Sequence, residues 1–317
     1  MPMEIMDAQS ALSFVTRQAA HIEPQVYQIK YPDLQYTDLV PIDTSAGEWA
    51  DTVEFYSSDK VGEAKWFNHT ARDVPRADVT RTQHSHSIEM AAIGYGYTLA
   101  EIGKASRLGI NLSADRAMSA RRAYEEFVDS IVFNGDTGKG WTGLYNDANV
   151  NAANMANDGT GDSRLWSTKT PTQILRDINE GLTAVVTGTR RTEIADTLLL
   201  PLTGYTYIGS QPMSVENPNM TILQFVLQNN IYTAMTGRPL TIKVGDGLED
   251  AGSGSTGRMV AYRKDPQVLK LHLPVPLRFL PVWQTGPMAF EVPGYFRLGG
   301  LEIRLPGAVK YRDGLVG

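Results

Sequence analysis

The sequence contains no cysteine. That excludes a disulfide framework, cysteine-ligated zinc, an iron–sulfur cluster and thiol catalysis. No apolar run approaches the ~18 residues that a membrane helix needs. The longest, residues 197–202, is strand-sized and contains Pro201. Met1-Pro2-Met3-Glu4 does not lead from basic residues into an apolar stretch, so neither a secretory leader nor membrane association is expected. Basic charge is not in excess: 29 Lys and Arg face 35 Asp and Glu, a net charge of −6. A dedicated nucleic-acid binder is usually basic. Proline is missing between Pro75 and Pro171, so the longest helix is expected in that interval.

What is present suits a large folded chain. Its 317 residues are 42% hydrophobic and 20% charged, enough for a sizeable core and too apolar for wholesale disorder. The length allows one large domain or two to three modules that share strands. Charge is unevenly spread. Residues 1–50 carry two basic and seven acidic side chains, whereas residues 258–317 carry nine basic and four acidic. Either both blocks are merely solvated faces, or the acidic N-terminal arm drapes over the basic C-terminal segment, in its own or an adjacent subunit.

Periodicity divides the chain further. Residues 1–45 read as an extended arm, with Pro24, Pro32 and Pro41 among Tyr27, Tyr31 and Tyr36, after a short helix at about 6–20. Alternation over 48–60 predicts a strand with a turn at 57–62, paired with a second strand-like stretch from Val74 to Met90 as a charged hairpin. A helix is predicted from an N-cap at Ser113 to a stop at Asn134–Gly135, with Tyr124, Phe127, Val128 and Ile131 facing the core. Arg121–Glu125 and Arg122–Glu126 are spaced as i,i+4 pairs on its other face. Thr170-Pro171-Thr172-Gln173 reads as a capping box opening a helix with the stripe Ile174, Ile178, Leu182 and Val185. Residues 196–208 read as a buried strand pair or a strand with a turn at Thr203–Gly204, and 218–228 as a helix with Ile222, Leu223, Val226 and Leu227 inward. Residues 240–244 read as a strand and 249–257 as an exposed loop; the rest is proline-punctuated β structure.

Catalytic constellations are weak. Asn134–Gly140 superficially resembles a phosphate loop, but Phe133 stands where the first glycine belongs and Gly140 follows Lys139; a structural loop is expected. His84 and His86 share one strand face without further ligands at a recognisable spacing, which points to an exposed face and not a metal site. Gly94-Tyr95-Gly96-Tyr97 lacks the third glycine of a dinucleotide fingerprint and reads as a bend. No enzyme, catalytic residue, metal or cofactor is therefore expected.

The order of elements is more telling: arm, charged hairpin, long helix, Gly-rich loop, second helix, α/β insertion, punctuated strands. Residues 124–135 followed by Trp141-Thr142-Gly143-Leu144-Tyr145-Asn146, then Asp196–Pro201 with Tyr205, and the ending Gly299–Pro306 through Val309–Gly314 carry a resemblance. The chain resembles the major capsid proteins of tailed phages, with the Hong Kong 97-type capsid fold that encapsulin shells share. The resemblance implies an α+β fold: an N-arm at 1–45, an extended hairpin loop at 46–90, a peripheral domain at 91–193 and 266–317 with its spine helix at about 113–133, and an axial domain at 194–265. It implies hexamers and pentamers of an icosahedral shell that encloses double-stranded DNA without sequence-specific binding. Portal, scaffolding and decoration proteins are the implied partners, and the place is a virion capsid assembled in the bacterial host cytoplasm. The alternatives are an encapsulin-type compartment holding a cargo enzyme and, from another class, a soluble β-rich enzyme. Asp33, Asp38, Asp43, Asp59, Lys60 and Glu63 are the expected subunit-interface residues.

Overall fold

The computed structural model describes residues 34–66, 76–102, 112–214 and 219–316. The expected helix at 6–20, most of the arm and Asp33 lie outside them. The described chain opens on a helical turn, α1 (Tyr36–Leu39), and a two-residue strand, β1 (Ile42–Asp43). β2 (Thr52–Val61) and β3 (Asp78–Ser87) pair antiparallel in unbroken register from Thr52↔Ser87 to Val61↔Asp78. β4 (Glu89–Ala92), β5 (Tyr95–Thr98), α2 (Leu112–Asn134), β6 (Asn151–Asn154) and α3 (Pro171–Gly188) follow. Next come β7 (Thr197–Leu200), three short helices α4 (Leu202–Ser210), α5 (Ile222–Gln228) and α6 (Ile231–Thr236), then β8 (Thr241–Val244) and β9 (Arg258–Tyr262). The ending is β10 (Leu269–His272), β11 (Val275–Phe279), β12 (Trp283–Gly286), β13 (Ala289–Val292), β14 (Gly294–Leu298), β15 (Gly300–Ile303) and β16 (Val309–Asp313).

The strands form a five-stranded mixed sheet, β6-β16-β9-β7-β8, and three-stranded sheets β1-β10-β15, β11-β14-β4 and β12-β13-β5. The pair β2-β3 stands alone among the described residues. β7 and β9 are buried at every position, as continuous apolar runs are when both faces of a sheet are covered. α3 packs on β9 and β16. Thr170 accepts from Gln173 N while the Gln173 side chain accepts from Thr170 N, so the capping box forms with Pro171 in the first turn. Ile174, Ile178, Leu182 and Val185 are fully buried, as their spacing predicts.

α2 is 23 residues long, about 35 Å of rod at 1.5 Å per residue. Ser113 lies inside it and is not its cap, because helical backbone already includes Leu112. Its stop is as expected: Gly135 takes φ +72° and donates its N–H to Ile131 O at 2.9 Å. Arg122 pairs with Glu126 at 2.8 Å. Tyr124, Val128 and Ile131 are buried, but Phe127 is 45% exposed and touches Phe296 only ring edge to face at 5.8 Å. The apolar face of α2 is narrower than its composition suggests, so Phe127 lies at its margin. Ile131→Ala is therefore expected to destabilise the subunit by ~2–5 kcal/mol. Phe127→Ala should lose only an aromatic edge contact, ~0.5–1.5 kcal/mol. Urea unfolding midpoints of the two variants measure the difference.

Other expectations need correction. Residues 202–210 are helix, not strand: Pro201 ends β7 and precedes α4, since a proline cannot donate to the ladder. Gly94–Tyr97 is not a bend, because Tyr95–Thr98 pairs with β13 from Tyr95↔Val292 to Thr98↔Ala289. β2 runs straight through the expected turn at 57–62, so the hairpin tip lies beyond Val61. Leu227 is partly exposed while Ile222 and Val226 are buried. α6, β12 and β14 were not legible as separate elements: each is four to six residues long and set off by a glycine or a proline.

Candidate functional site

The site of interest is the free hairpin and the cluster at its root. β2 and β3 are exposed along most of their length. Side chains alternate across the pleat. One face carries Val53, Phe55, Ser57 and their partners His86, His84 and Thr82; the other carries Glu54, Tyr56, Lys60 and their partners Ser85, Gln83 and Val79. The first face meets the body only near the root. Phe55 stacks on His84 at 4.9 Å, and the Arg304 guanidinium lies over the Phe55 ring at 4.4 Å. Tyr56, Val61 and Val79 are exposed large hydrophobics among the described residues.

The root is built from segments far apart in sequence. His86 donates Nε2–H to the Gly299 carbonyl, and its ring lies 5.5 Å from that of His272 and 6.4 Å from that of Trp141. Trp141 Nε1 donates to Ser87 Oγ at 3.1 Å. Gly300 has φ +69°, and a Cβ there would come within 3.0 Å of the Trp141 ring; both conformation and space require glycine. His272 is fully buried, with Nε2 2.6 Å from Glu302 Oε2 and Nδ1 3.8 Å from Asp43 Oδ2. Arg304 Nε reaches the same Glu302 oxygen at 3.1 Å.

Burial pushes the His86 imidazole below its ordinary value and His272 adds to the lowering, while the hydrogen bond to Gly299 and the Glu302 charge oppose it without cancelling it. Burial alone would raise Glu302, but the hydrogen bond from His272 and the Arg304 charge outweigh it and hold that carboxyl low. Asp43 behaves likewise: burial opposes ionisation, but Lys270 and the Ser45 hydrogen bonds hold its carboxyl well below the usual carboxylate range.

The charge asymmetry is resolved here for residues 34–51, within one chain. Asp43 pairs with Lys270. Glu48 pairs with Arg278 at 2.8 Å, and Arg297 joins Asp51 Oδ1 at 2.7 Å and Glu48 O at 2.9 Å. Asp38 meets Lys243 at 2.9 Å, and Lys264 donates to the Asp38 carbonyl. Opposite potentials give register to such docking more than raw stability. Apolar burial does the rest, since Tyr36, Leu39 and Val40 enter the main core. Backbone pairing adds Leu271 N to Pro41 O and Leu273 N to Asp43 O, each 2.9 Å.

Of the expected interface residues, Asp38 and Asp43 pair with Lys243 and Lys270 of the same chain, and the Asp38 side chain stays largely exposed. Asp59 and Lys60 are exposed on β2, opposite Thr80 and Val79, and Glu63 is exposed just past the strand end. Sequence reasoning missed an apolar group at the sheet β12-β13-β5: Leu99, Val282, Trp283 and Met288 are all exposed there, with Leu99 N bonded to Met288 O at 2.9 Å. Its signal was the density of large hydrophobics in a short, proline-flanked hairpin. The Asn134–Gly140 loop is a closed turn, with Trp141 N on Asp136 O at 2.9 Å and Lys139 spent on Glu89 at 3.0 Å. No group of three or more metal-ligating side chains is found among the described residues.

A family model described as major capsid protein matches residues 62–315. No curated protein matches the chain. Among solved structures, the capsid of Myoviridae phage XM1 is similar with a TM-score of 0.79 at 18% identity, over 94% of this chain and 98% of that one. The Mycobacterium phage Ogopogo structure gives 0.60 at 10% identity, over 95% and 98%. The capsid of the native GTA particle gives 0.62 at 8% identity, over 98% of this chain and all of that one.

Proposed function

The chain belongs to the major capsid protein family, and from that premise we infer that its hairpin is an assembly element which docks on a second copy of the chain. A major capsid protein is a structural protein of the virion capsid, and its partners are further copies of itself. The observation that supports the hairpin's role is its composition. Ten residue pairs, about 34 Å of ribbon at 3.4 Å per residue, bury almost nothing in their own subunit and yet expose Tyr56, Val61 and Val79. A two-stranded ribbon is at best marginally stable alone and gains stability by packing against another surface.

The finer reading extends this. The copies form hexamers and pentamers of an icosahedral shell around double-stranded DNA of a tailed phage, in the host cytoplasm, with portal, scaffolding and decoration proteins as partners. A chain with net charge −6 suits a container that does not grip nucleic acid through a basic lining. The exposed apolar group around Trp283 is a second contact with neighbouring copies. The axial unit includes β6 and β16 along with residues 194–265, because one sheet unites them. No observation favours the encapsulin-type reading.

Tyr56 and Val79 lie on the same hairpin face, remote from the core. Replacing both by Ser should change subunit stability by no more than ~0.5 kcal/mol, as for ordinary surface sites. Shell yield, counted by negative-stain microscopy and sedimentation, should fall sharply. Normal shells from the double variant would remove the hairpin from the assembly interface.

A further inference from the structure

We propose that the root of the hairpin is an acid-released latch, in which protonation of His86 frees β2 and β3 from the C-terminal strands. This concerns the single chain and stands whether or not the hairpin meets a second copy. Near its root, the hairpin's contacts with the body include His86 to Gly299 O, Trp141 to Ser87, Arg304 over Phe55 and, one residue before β2, Arg297 to Asp51. Its remaining length has no buried side chain. His86 is therefore the titratable group at the point where a free ribbon joins a packed body.

The surroundings decide the sign. β1 supplies Asp43, β10 supplies Lys270 and His272, and β15 and the residue after it supply Glu302 and Arg304. On β3 itself, His84 stacks on Phe55; beyond the root, Glu89 is paired with Lys139. The two carboxylates nearest the pair are already committed, Asp43 to Lys270 and Glu302 to His272 and Arg304. A proton added to His86 is attracted only by Glu302, a carboxylate already shared with His272 and Arg304, and it faces a second imidazole 5.5 Å away. Lifted into solvent, the same ring binds a proton with the ordinary affinity of histidine, half-saturated near pH 6.5.

The anchored state thus holds its proton less tightly than the released state. Anchoring is fully present above about pH 6.5 and weakens as pH falls toward the depressed value of the anchored ring. Each pKa unit between the two states is worth about tenfold in the anchoring equilibrium. Asp43 and Glu302 are held low, so they stay ionised through this window and do not mimic the effect.

Amide hydrogen exchange of the full-length unassembled subunit, divided by intrinsic rates, reads the latch directly. Between pH 7.5 and pH 5, the amides of β2 and β3 near the root should lose protection, while those of α3 keep theirs. In His86→Gln, which keeps a donor for Gly299 O and cannot titrate, root protection should be the same at both pH values. Protection unchanged in the wild type, or lost equally in the variant, overturns the latch. If the variant does not fold, the His86 Cε1–H signal in the wild-type chain gives the answer. Its NMR titration should fall below pH 6.5 and coincide with the release, and a midpoint at or above 6.5 overturns the proposal.

Discussion

Asp177→Ala should cost the subunit ~3–5 kcal/mol, the penalty for removing one partner of a buried ion pair. Lys169 Nζ lies 2.6 Å from Asp177 Oδ2, and neither side chain has any exposure. The same oxygen accepts from Trp166 Nε1 at 3.3 Å, and Arg176 reaches Oδ1 at 3.0 Å. Asp158 completes the group, 3.1 Å from Lys169 and paired with Arg176. Deleting the Asp177 carboxylate leaves the buried Trp166 indole N–H without its acceptor and the buried Lys169 ammonium with Asp158 alone. The network fastens the long segment before α3 onto the first turns of that helix, so its loss should loosen residues 158–169 as well. The contrasting variant is the double replacement Lys169→Met with Asp177→Leu. It removes both charges and should recover most of the loss, because a buried pair is worth little against apolar residues of similar volume. Unfolding midpoints in urea, with m unchanged, decide it: equal losses for the single and double variants would mean that packing volume, not charge pairing, sets the cost.

Gly143→Ala should be comparably severe, ~3 kcal/mol or more, and should leave little soluble subunit. Gly143 packs against the end of α2: an added Cβ would overlap the Phe133 carbonyl and come within 2.5 Å of Asn134 N. Its φ is not in the left-handed region, so the constraint is space and not conformation. The turn around it is tightly bonded. Leu144 N reaches Val132 O at 2.9 Å and Tyr145 N reaches Phe133 O at 3.1 Å, while Asn146 accepts from Gly143 N and donates to Asn134 O, both at 2.7 Å. Asn146 therefore closes the helix end that Gly143 approaches, and Leu144 fills the core between them with no exposed surface. Gly140 is the control. It has φ +70° but open space around a Cβ, so Gly140→Ala should lose only the left-handed penalty of ~1–2 kcal/mol. Thermal denaturation of the two alanine variants side by side separates steric overlap from backbone strain.

The Gly143-Leu144-Tyr145-Asn146 stretch carried the family resemblance before any reason for it was in view. Its glycine and asparagine serve the C-terminus of α2, eight or more residues upstream, and no local propensity requires them. The charge blocks were legible in the same partial way. Counting residues exposes the imbalance between the chain ends and allows docking in the same or an adjacent subunit; in the single chain Asp38 and Asp43 meet Lys243 and Lys270. Opposite charge states that two segments attract; it does not state in which copy they meet.

Sequence alone determined the elements whose causes are local. α3 follows from a capping box, a proline in the first turn and a stripe at 3.6-residue spacing; α2 from a proline-free stretch closed by Asn134–Gly135; the hairpin from alternation at period two. The caps, stripes and alternation behind these elements are patterns within about four positions, the range of backbone hydrogen bonding and side-chain neighbourhood in a single helix or strand. Tertiary structure alone decided the rest. β7 ends up buried on both faces because it packs between β8 and β9. Phe127 stays at the margin of its helix face, 45% exposed with the Phe296 ring edge to face beside it. His86 meets Gly299 across 213 positions of sequence, and Asp43 meets Lys270 across 227. Such contacts depend on sheet register and on the closure of long loops, and a residue's neighbours in sequence carry no record of either.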